Sequence, residues 1–275
     1  MRKVYKCALI KEQIDGMLNL IKDNDNLIEI QLLGLDDDLS LLKCFEGRVC
    51  SIHLPVNDRY CNLSKIMEAC ETKNQYFDFL NRLISLSPNV EIVAHANVYL
   101  ERLLNLNENT SFLKWVKDND IHFLLENTGI IKDGKKSIVE PVQLSSRFNK
   151  IIKKELFSPL LDVCHYQIAR TRFDSTLKYN LLDVIGLYAK GGMKVHLCSA
   201  IGSGHEMSGG FHGSNFKEDL ELLEEFIKEI YQYDPYLILK VSETDYFNRP
   251  NAVWLNNKID KIIANLPQNQ SIQAY

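Results

Sequence analysis

The sequence predicts a single (β/α)₈ barrel of the α/β class. Eight strand-like segments alternate with helix-like segments along the chain, which is the order that builds a parallel sheet. The chain has 275 residues, close to the ~250 residues that such barrels use. A doubly wound open sheet has a similar alternation and is the alternative. We therefore expect one barrel domain over residues 1–275, with polar site residues at the C-terminal ends of its strands.

The predicted strands are short apolar runs bounded by polar or turn residues. Several of them are rich in valine, isoleucine and leucine, as expected for strands that are buried on both faces. The eight strands are predicted over residues 3–9, 27–33, 49–54, 90–94, 121–125, 159–163, 193–198 and 236–241.

The predicted helices follow from apolar residues spaced three and four apart and from residues that favour helix ends. Residues 11–22 form the first helix, and Asn62 caps a long helix that ends near Pro88. Pro141 is expected to open the helix before strand six, because proline is favoured in a first helical turn. The other helices are predicted after Asp36, over residues 100–115, from Asp174 or Ser175 to Gly191, from Asn215, and from Trp254 to Pro267.

Composition limits the class of protein. Hydrophobic residues make up 45% of the chain, which is enough for one large core. No apolar run approaches the ~20 residues of a membrane helix, and the N-terminus does not resemble a signal peptide, so we expect a cytoplasmic protein without membrane contact. The seven cysteines include no CxxC pair and are expected to be reduced, structural thiols. The formal charge of −4 argues against a dedicated nucleic-acid binder.

Several predicted strands end in a carboxylate or an imidazole. The run IHFLLENTG places Glu126 directly after four apolar or aromatic residues. A buried carboxylate loses its hydration unless a metal ion, a cation or a ring of donors compensates for it. The same pattern recurs at other strand ends, with Asp162, His165, His196, His53, His95 and Glu243. The strand ends therefore predict one polar site.

The motifs SIHLP, VAHAN, LLENTG, LLDVCH, KVHL and HEMSGG, in this order, resemble the xylose isomerase-like superfamily of TIM barrels. That superfamily includes sugar isomerases and epimerases and also the endonuclease IV family of abasic-site DNA repair enzymes. The resemblance implies one divalent metal ion (Mn, Mg, Co or Zn) whose ligands are Glu126, Asp162, His196 and Glu243.

The DNA repair branch of that superfamily implies further metal ligands. His53 and His95 match the histidines after strands three and four, and His165 and His205 match a third-metal group. Ser203 stands where that branch has an aspartate, which departs from a complete third site. As alternatives, the histidines can orient carboxylates, and residues 202–213 can form a phosphate-binding loop or a plain connection. Asn127, His165 and His205 are also candidates for substrate binding.

Strand eight contains a conflict between Lys240 and Glu243. If Leu237, Leu239 and Val241 face the barrel interior, the two-residue period of a strand brings Glu243 to the site and leaves Lys240 in water. The opposite register would direct an ammonium group at the predicted metal. We therefore expect Glu243 to face the site.

Three functions compete. The first is a metal-dependent isomerase or epimerase of a sugar or sugar phosphate, in which Glu126 and Glu243 exchange protons beside a carbonyl. The second is an endonuclease IV-like zinc phosphodiesterase that acts on abasic-site DNA. The third is a barrel that binds a sugar without converting it. The acidic net charge and Ser203 favour the first function, with a small carbohydrate as substrate.

Overall fold

Eight parallel strands close into a barrel in the computed structural model of the chain. The structure describes residues 1–55, 60–128, 134–172, 181–189, 193–199, 216–241, 243 and 245–266. Each strand pairs with its neighbours in sequence, and β8 closes onto β1. This order confirms the predicted barrel and excludes the doubly wound sheet, in which strand order reverses.

Every predicted strand overlaps an observed one. The first strand, for example, is predicted over residues 3–9 and observed over Arg2–Ala8, and the agreement holds to within a few residues at each strand end. The observed strands are β1 Arg2–Ala8, β2 Leu27–Gln31, β3 Val49–His53, β4 Glu91–His95, β5 Phe123–Glu126, β6 Phe157–Asp162, β7 Lys194–Leu197 and β8 Tyr236–Leu239.

The helices lie outside the barrel and connect successive strands. None of those in the described ranges is long and apolar enough to cross a membrane. They are α1 Lys11–Ile21, α2 Leu63–Thr72, α3 Gln75–Leu86, α4 Leu100–Leu104, α5 Ser111–Asp118, α6 Gly134–Ile152, α7 Val163–Arg172, α8 Leu181–Tyr188, α9 Leu220–Ile230 and α10 Pro250–Ala264, with a 3₁₀ helix over Leu39–Phe45.

The long helix predicted between strands three and four is two helices, α2 and α3. Asn62 caps α2 as predicted, because its side chain accepts a hydrogen bond from the Ser64 amide. The break comes at Lys73, whose φ of 54° is left-handed. Asn74 then caps α3 by accepting hydrogen bonds from two amides of its first turn. A left-handed residue followed by an Asn cap ends one helix and begins another without loss of the apolar spacing.

Two other predicted helices also differ from the structure. The segment predicted over residues 100–115 is the short α4 followed by α5. Pro141 lies inside α6 and does not open it, since the helix begins at Gly134. Three predicted helix ends, at Asp174 or Ser175, Gly191 and Asn215, lie outside the described residues, as does Pro267.

Apolar side chains form two layers. The larger layer lies between the barrel and the helices and contains Leu237 and Leu239 of β8. A smaller cluster inside the barrel consists of Val4, Val93, Leu124, Leu160 and Ile238. The seven cysteines are all thiols, and five of them are buried. The inner cluster fills the barrel interior. The inward-facing polar residues that come next along the strands therefore lie directly over apolar side chains.

Candidate active site

Glu126 is the centre of a buried polar cluster at the C-terminal ends of the strands. It is the last residue of β5 and is fully buried. Its Oε1 atom accepts hydrogen bonds from Nδ1 of His196 at 2.9 Å and from Nζ of Lys240 at 3.0 Å. Its Oε2 atom lies 2.9 Å from Nε2 of His53 and 3.4 Å from Nε2 of His95. Side chains from the ends of four other strands therefore meet at the Glu126 carboxylate.

Strand register brings these side chains together. His95 pairs with Glu126 across β4 and β5, and Asp162 pairs with His196 across β6 and β7. Residues that pair in neighbouring parallel strands point to the same face of the sheet. Three of these residues, His95, Glu126 and Asp162, also lie two positions beyond an inner apolar residue of their own strand, as Glu126 does beyond Leu124. The predicted convergence of strand ends is thus a consequence of the closed barrel.

Lys240, and not Glu243, faces this cluster, so the expectation for strand eight is wrong. The Nζ atom of Lys240 lies 2.8 Å from Oδ2 of Asp162 as well as 3.0 Å from Glu126. The inner face of β8 carries Ile238, whereas Leu237 packs against the helices. Both faces of this strand are apolar, so hydrophobicity alone does not reveal which one is inside.

Glu243 has a different role, at the beginning of α10. Its carboxylate accepts hydrogen bonds from the main-chain amides of Asn251 at 3.0 Å and Ala252 at 2.6 Å. Amides in the first turn of a helix have no partner within the helix, and the helix dipole favours an anion there. Burial raises the pKa of Glu243 above its ordinary value. Glu243 therefore caps a helix and does not belong to the cluster around Glu126.

Lys240 is present as an ammonium ion. Burial alone would lower the pKa of Lys240, but Asp162 and Glu126 more than compensate and raise it well above its ordinary value. Burial alone would raise the pKa of Asp162, but His165 and Lys240 hold the pKa of this carboxyl well below its usual range. The three side chains are therefore a buried, charged triad.

His196 lies between two buried carboxylates. Its Nδ1 atom contacts Glu126, and its Nε2 atom lies 3.0 Å from Oε2 of Glu29. Burial opposes the charged form of the ring, but Glu29 and Glu126 outweigh it and raise the pKa of His196 to about 9. With a carboxylate at each nitrogen and this raised pKa, His196 is an imidazolium at neutral pH and donates from both nitrogens.

Sequence reasoning missed two members of the cluster, Lys6 and Glu29. They pair across β1 and β2, and their charged groups are 2.8 Å apart in an ion pair whose angles are not those of a hydrogen bond. Ser51 also donates a hydrogen bond to Glu29 at 2.9 Å. Burial would raise the pKa of Glu29, but His196 and Lys6 hold it far below its ordinary value. The available signal was a charged residue inside each of the apolar runs VYKCA and LIEIQLL.

His53 and His95 approach Glu126 in different states. Nδ1 of His53 lies 2.8 Å from the carbonyl oxygen of Leu54 and Nε2 lies 2.9 Å from Glu126, and a neutral ring donates to only one of these two acceptors. Burial lowers the pKa of His53 to about 3, so its ring is neutral at pH 7. Burial also disfavours the charged form of His95, but Cys61, 3.3 Å from its Nδ1 atom, and Glu126 raise the pKa of His95 to about 10.

Asn127 and His165 complete the described part of the cluster. The side-chain amide of Asn127 bonds to both main-chain groups of Asp162, at 3.1 Å and 2.6 Å. Nδ1 of His165 lies 2.7 Å from the carbonyl oxygen of Asn127, and the His165 amide donates to Oδ1 of Asp162 at 2.7 Å. Burial lowers the pKa of His165 to about 4. His205 and Ser203 lie outside the described residues.

Comparisons with known proteins identify the fold. No protein-family model matches the chain, and no curated protein matches it either. Among solved structures, the chain is similar to D-allulose 3-epimerase from Methylomonas sp. in complex with D-allulose, with a TM-score of 0.50 and 12% identity over 96% of this chain and 98% of that one. The chain shares the closed eight-stranded barrel fold of that epimerase.

A second xylose isomerase-like structure is also similar to the chain. It is the probable 3-DHS dehydratase AsbF involved in petrobactin synthesis, from Bacillus anthracis, with a TM-score of 0.49 and 12% identity over 97% of this chain and 100% of that one.

The metal ion that the xylose isomerase-like fold implies does not fit the described side chains at the predicted place. The ammonium group of Lys240 lies where Glu126 and Asp162 converge. His196 directs both nitrogens at carboxylates, and Glu243 is bonded to α10. A metal ligand needs a free lone pair, which a doubly donating imidazolium lacks.

A second group of possible ligands consists of His53, His95 and Glu126, whose nearest ligand atoms lie within 4.8 Å of one another. Its donor types suit zinc. The raised pKa of His95 nevertheless means that an ion would have to displace a proton from that ring. No step below therefore depends on a metal.

Proposed function

We propose that this protein is a carbohydrate isomerase or epimerase that moves a proton beside a carbonyl group. The observation that carries the proposal is the contact of the Lys240 ammonium with the Glu126 and Asp162 carboxylates, beside two imidazoles with lowered pKa values. Together they provide proton carriers and a positive charge in one place. They lie at the C-terminal ends of the strands, where barrel enzymes have their active sites.

The reaction needs only groups that this cluster contains. A base removes a proton from the carbon next to a carbonyl, and the electron pair of that C–H bond forms an enediolate. Returning the proton to the neighbouring carbon, with transfer of the hydroxyl proton from one oxygen to the other, gives the isomer. Returning it to the opposite face of the same carbon gives the epimer, so no oxidant or water is consumed. The Lys240 ammonium would stabilise the negative oxygen of the enediolate, because a fixed buried charge acts without reorganisation.

Glu126 and His165 are the proton carriers in this proposal. Glu126 is the predicted base, and its pKa is held well below the ordinary value against the effect of burial, chiefly by Lys240 and His196. His165 donates from Nδ1 to the Asn127 carbonyl group, which leaves Nε2 as the basic nitrogen. Its pKa of about 4 keeps this nitrogen unprotonated at neutral pH.

Deuterium exchange tests the proposal without knowledge of the sugar. The protein is incubated in D₂O with a panel of ketoses and aldoses and their phosphates, and ¹H NMR follows loss of the proton beside the carbonyl. Ketoses come first in the panel, since the structural neighbour was solved with D-allulose. We expect exchange with at least one sugar, and its loss by ~10²-fold or more in Glu126→Gln.

Glu91→Gln is the matched control, because Glu91 is also a barrel glutamate but begins β4, at the opposite end from the cluster. Failure of every sugar to exchange contradicts the proposal. Binding of a sugar without exchange would instead indicate the non-catalytic barrel, an alternative that the inward position of Lys240 favours.

The phosphodiesterase is the remaining alternative. The grouping of His53, His95 and Glu126 favours it, because two imidazoles and a carboxylate are suitable zinc ligands. Cleavage of an abasic-site duplex that requires zinc and is lost in His95→Ala would select this function over the isomerase. The metal-dependent form of the isomerase stays a prediction, which the ion measurements below address.

A further inference from the structure

Lys240 is placed by the backbone and not by the choice of a side-chain rotamer. Its amide donates to the carbonyl oxygen of Leu197 at 3.2 Å, which extends the pairing of β7 with β8 by one residue. Within that pairing His196 lies opposite Ile238, so both point into the barrel. Lys240, two residues after Ile238, must point the same way.

The negative charges around Lys240 are already compensated. Glu29, Glu126 and Asp162 are the buried carboxylates of the described cluster, and all three have lowered pKa values. Opposite them stand two lysines and two imidazolium rings, namely Lys6, Lys240, His95 and His196. A divalent ion between the carboxylates would add two positive charges within a few ångströms of the Lys240 ammonium, with no further described carboxylate to compensate.

We propose that Lys240 is a built-in cation, which takes the position of a divalent metal ion between Glu126 and Asp162. The ammonium satisfies one oxygen of each carboxylate, as an ion would, and its side chain is 8% exposed. This inference concerns the same site as the proposed function. Its test measures ion binding, so it can fail or succeed whether or not the protein turns over a sugar.

Ion binding to the full chain provides the test. After dialysis against a chelator, Mn²⁺ and Zn²⁺ are titrated by calorimetry into the parent, Lys240→Glu and Lys240→Met, and bound metal is measured by mass spectrometry. We expect Lys240→Glu to bind one ion at least ~10-fold more tightly than the parent, because a fourth carboxylate replaces the competing charge. Lys194→Glu is the matched control, since Lys194 is also an inward lysine but begins β7 beside Glu91.

Two results would overturn the proposal. One is that the parent protein retains a bound ion and that Asp162→Asn loses it. Because Asp162 contacts Lys240, such an ion would occupy the position that we assign to the ammonium group. The other is a folded Lys240→Glu with no gain in ion affinity over the parent. Folding is checked by circular dichroism, and if Lys240→Glu does not fold, the same gain is required of Lys240→Met.

Discussion

The Asn127 side chain forms two hydrogen bonds with the main chain of Asp162, one through each of its amide atoms. Oδ1 accepts from the Asp162 amide at 2.6 Å, and Nδ2 donates to the Asp162 carbonyl oxygen at 3.1 Å. Both residues are fully buried. Asn127 follows β5 and Asp162 ends β6, so this pair fixes the relative position of the two strands that deliver the carboxylates.

Asn127→Ala is expected to lower the free energy of unfolding by about 2–4 kcal/mol, because it leaves a buried N–H and a buried C=O of Asp162 without partners. Urea denaturation followed by circular dichroism measures the change. Asn105→Ala, at an exposed position after α4, should change the same quantity by less than ~0.5 kcal/mol. Equal losses in the two variants would contradict the role of the Asn127 pair.

Stability should fall as the pH rises above neutrality, and His196 is one of the residues responsible. Its folded pKa of about 9 exceeds the ordinary value of 6.5, so its contribution is complete below pH 6.5 and is lost as the pH rises towards 9. We expect a loss on the order of 2 kcal/mol over this range. Urea denaturation at a series of pH values measures it.

His196→Asn should reduce this alkaline loss without abolishing it, because the raised pKa of His95 makes a contribution of the same sign. His122→Asn, at an exposed position before β5, should leave the loss unchanged. His53 and His165 have lowered pKa values, so their effect on stability appears in the acidic range and has the opposite pH dependence. Their contributions are complete above pH 6.5 and are lost as the pH falls through about 4 and 3. An unfolding free energy that rises between pH 7 and pH 9 would be inconsistent with these states.

Glu243→Ala should destabilise α10 and leave the site intact. We expect a loss of about 1–2 kcal/mol in the free energy of unfolding, because two first-turn amides lose their acceptor. Hydrogen exchange at the amides of Asn251 and Ala252 should accelerate in the same variant. Loss of sugar exchange or of ion binding in a stably folded Glu243→Ala would restore Glu243 to the site.

Gly16→Ala should be strongly destabilising although alanine is the better helix former. A Cβ atom on Gly16, in α1, would overlap the main-chain carbonyl group of Tyr246. We expect a loss of about 1–3 kcal/mol in the free energy of unfolding. Gly186, in α8, has open space at its Cβ position. Gly186→Ala should therefore be neutral or stabilising by up to about 1 kcal/mol, as thermal denaturation of both variants would reveal.

The sequence was sufficient to predict the barrel and the position of most of the cluster. Alternating strands and helices determined the fold, and Glu126, Asp162 and His196 ended apolar runs, so their common position followed from closure of the sheet. Helix boundaries were less predictable, because the break at Lys73 depends on a left-handed residue that leaves the apolar spacing unchanged on either side.

The composition of the cluster could not be predicted completely, for a reason that strand eight illustrates. Ile238 and Leu239 are both buried and apolar, so the strand carries no contrast between its faces. Only the pairing of His196 with Ile238 shows which residues point inward. Lys6 and Glu29 were missed because they lie within apolar runs, whereas the site residues were expected at the ends of such runs.

The position of Lys240 also bears on how such barrels change during evolution. Lysine and glutamate codons differ only in their first base, so one nucleotide substitution separates a fixed ammonium from a carboxylate at this strand end. A barrel of this fold can then gain or lose an inorganic cofactor in one genetic event, without passing through a sequence in which the two carboxylates opposite it have no counter-charge.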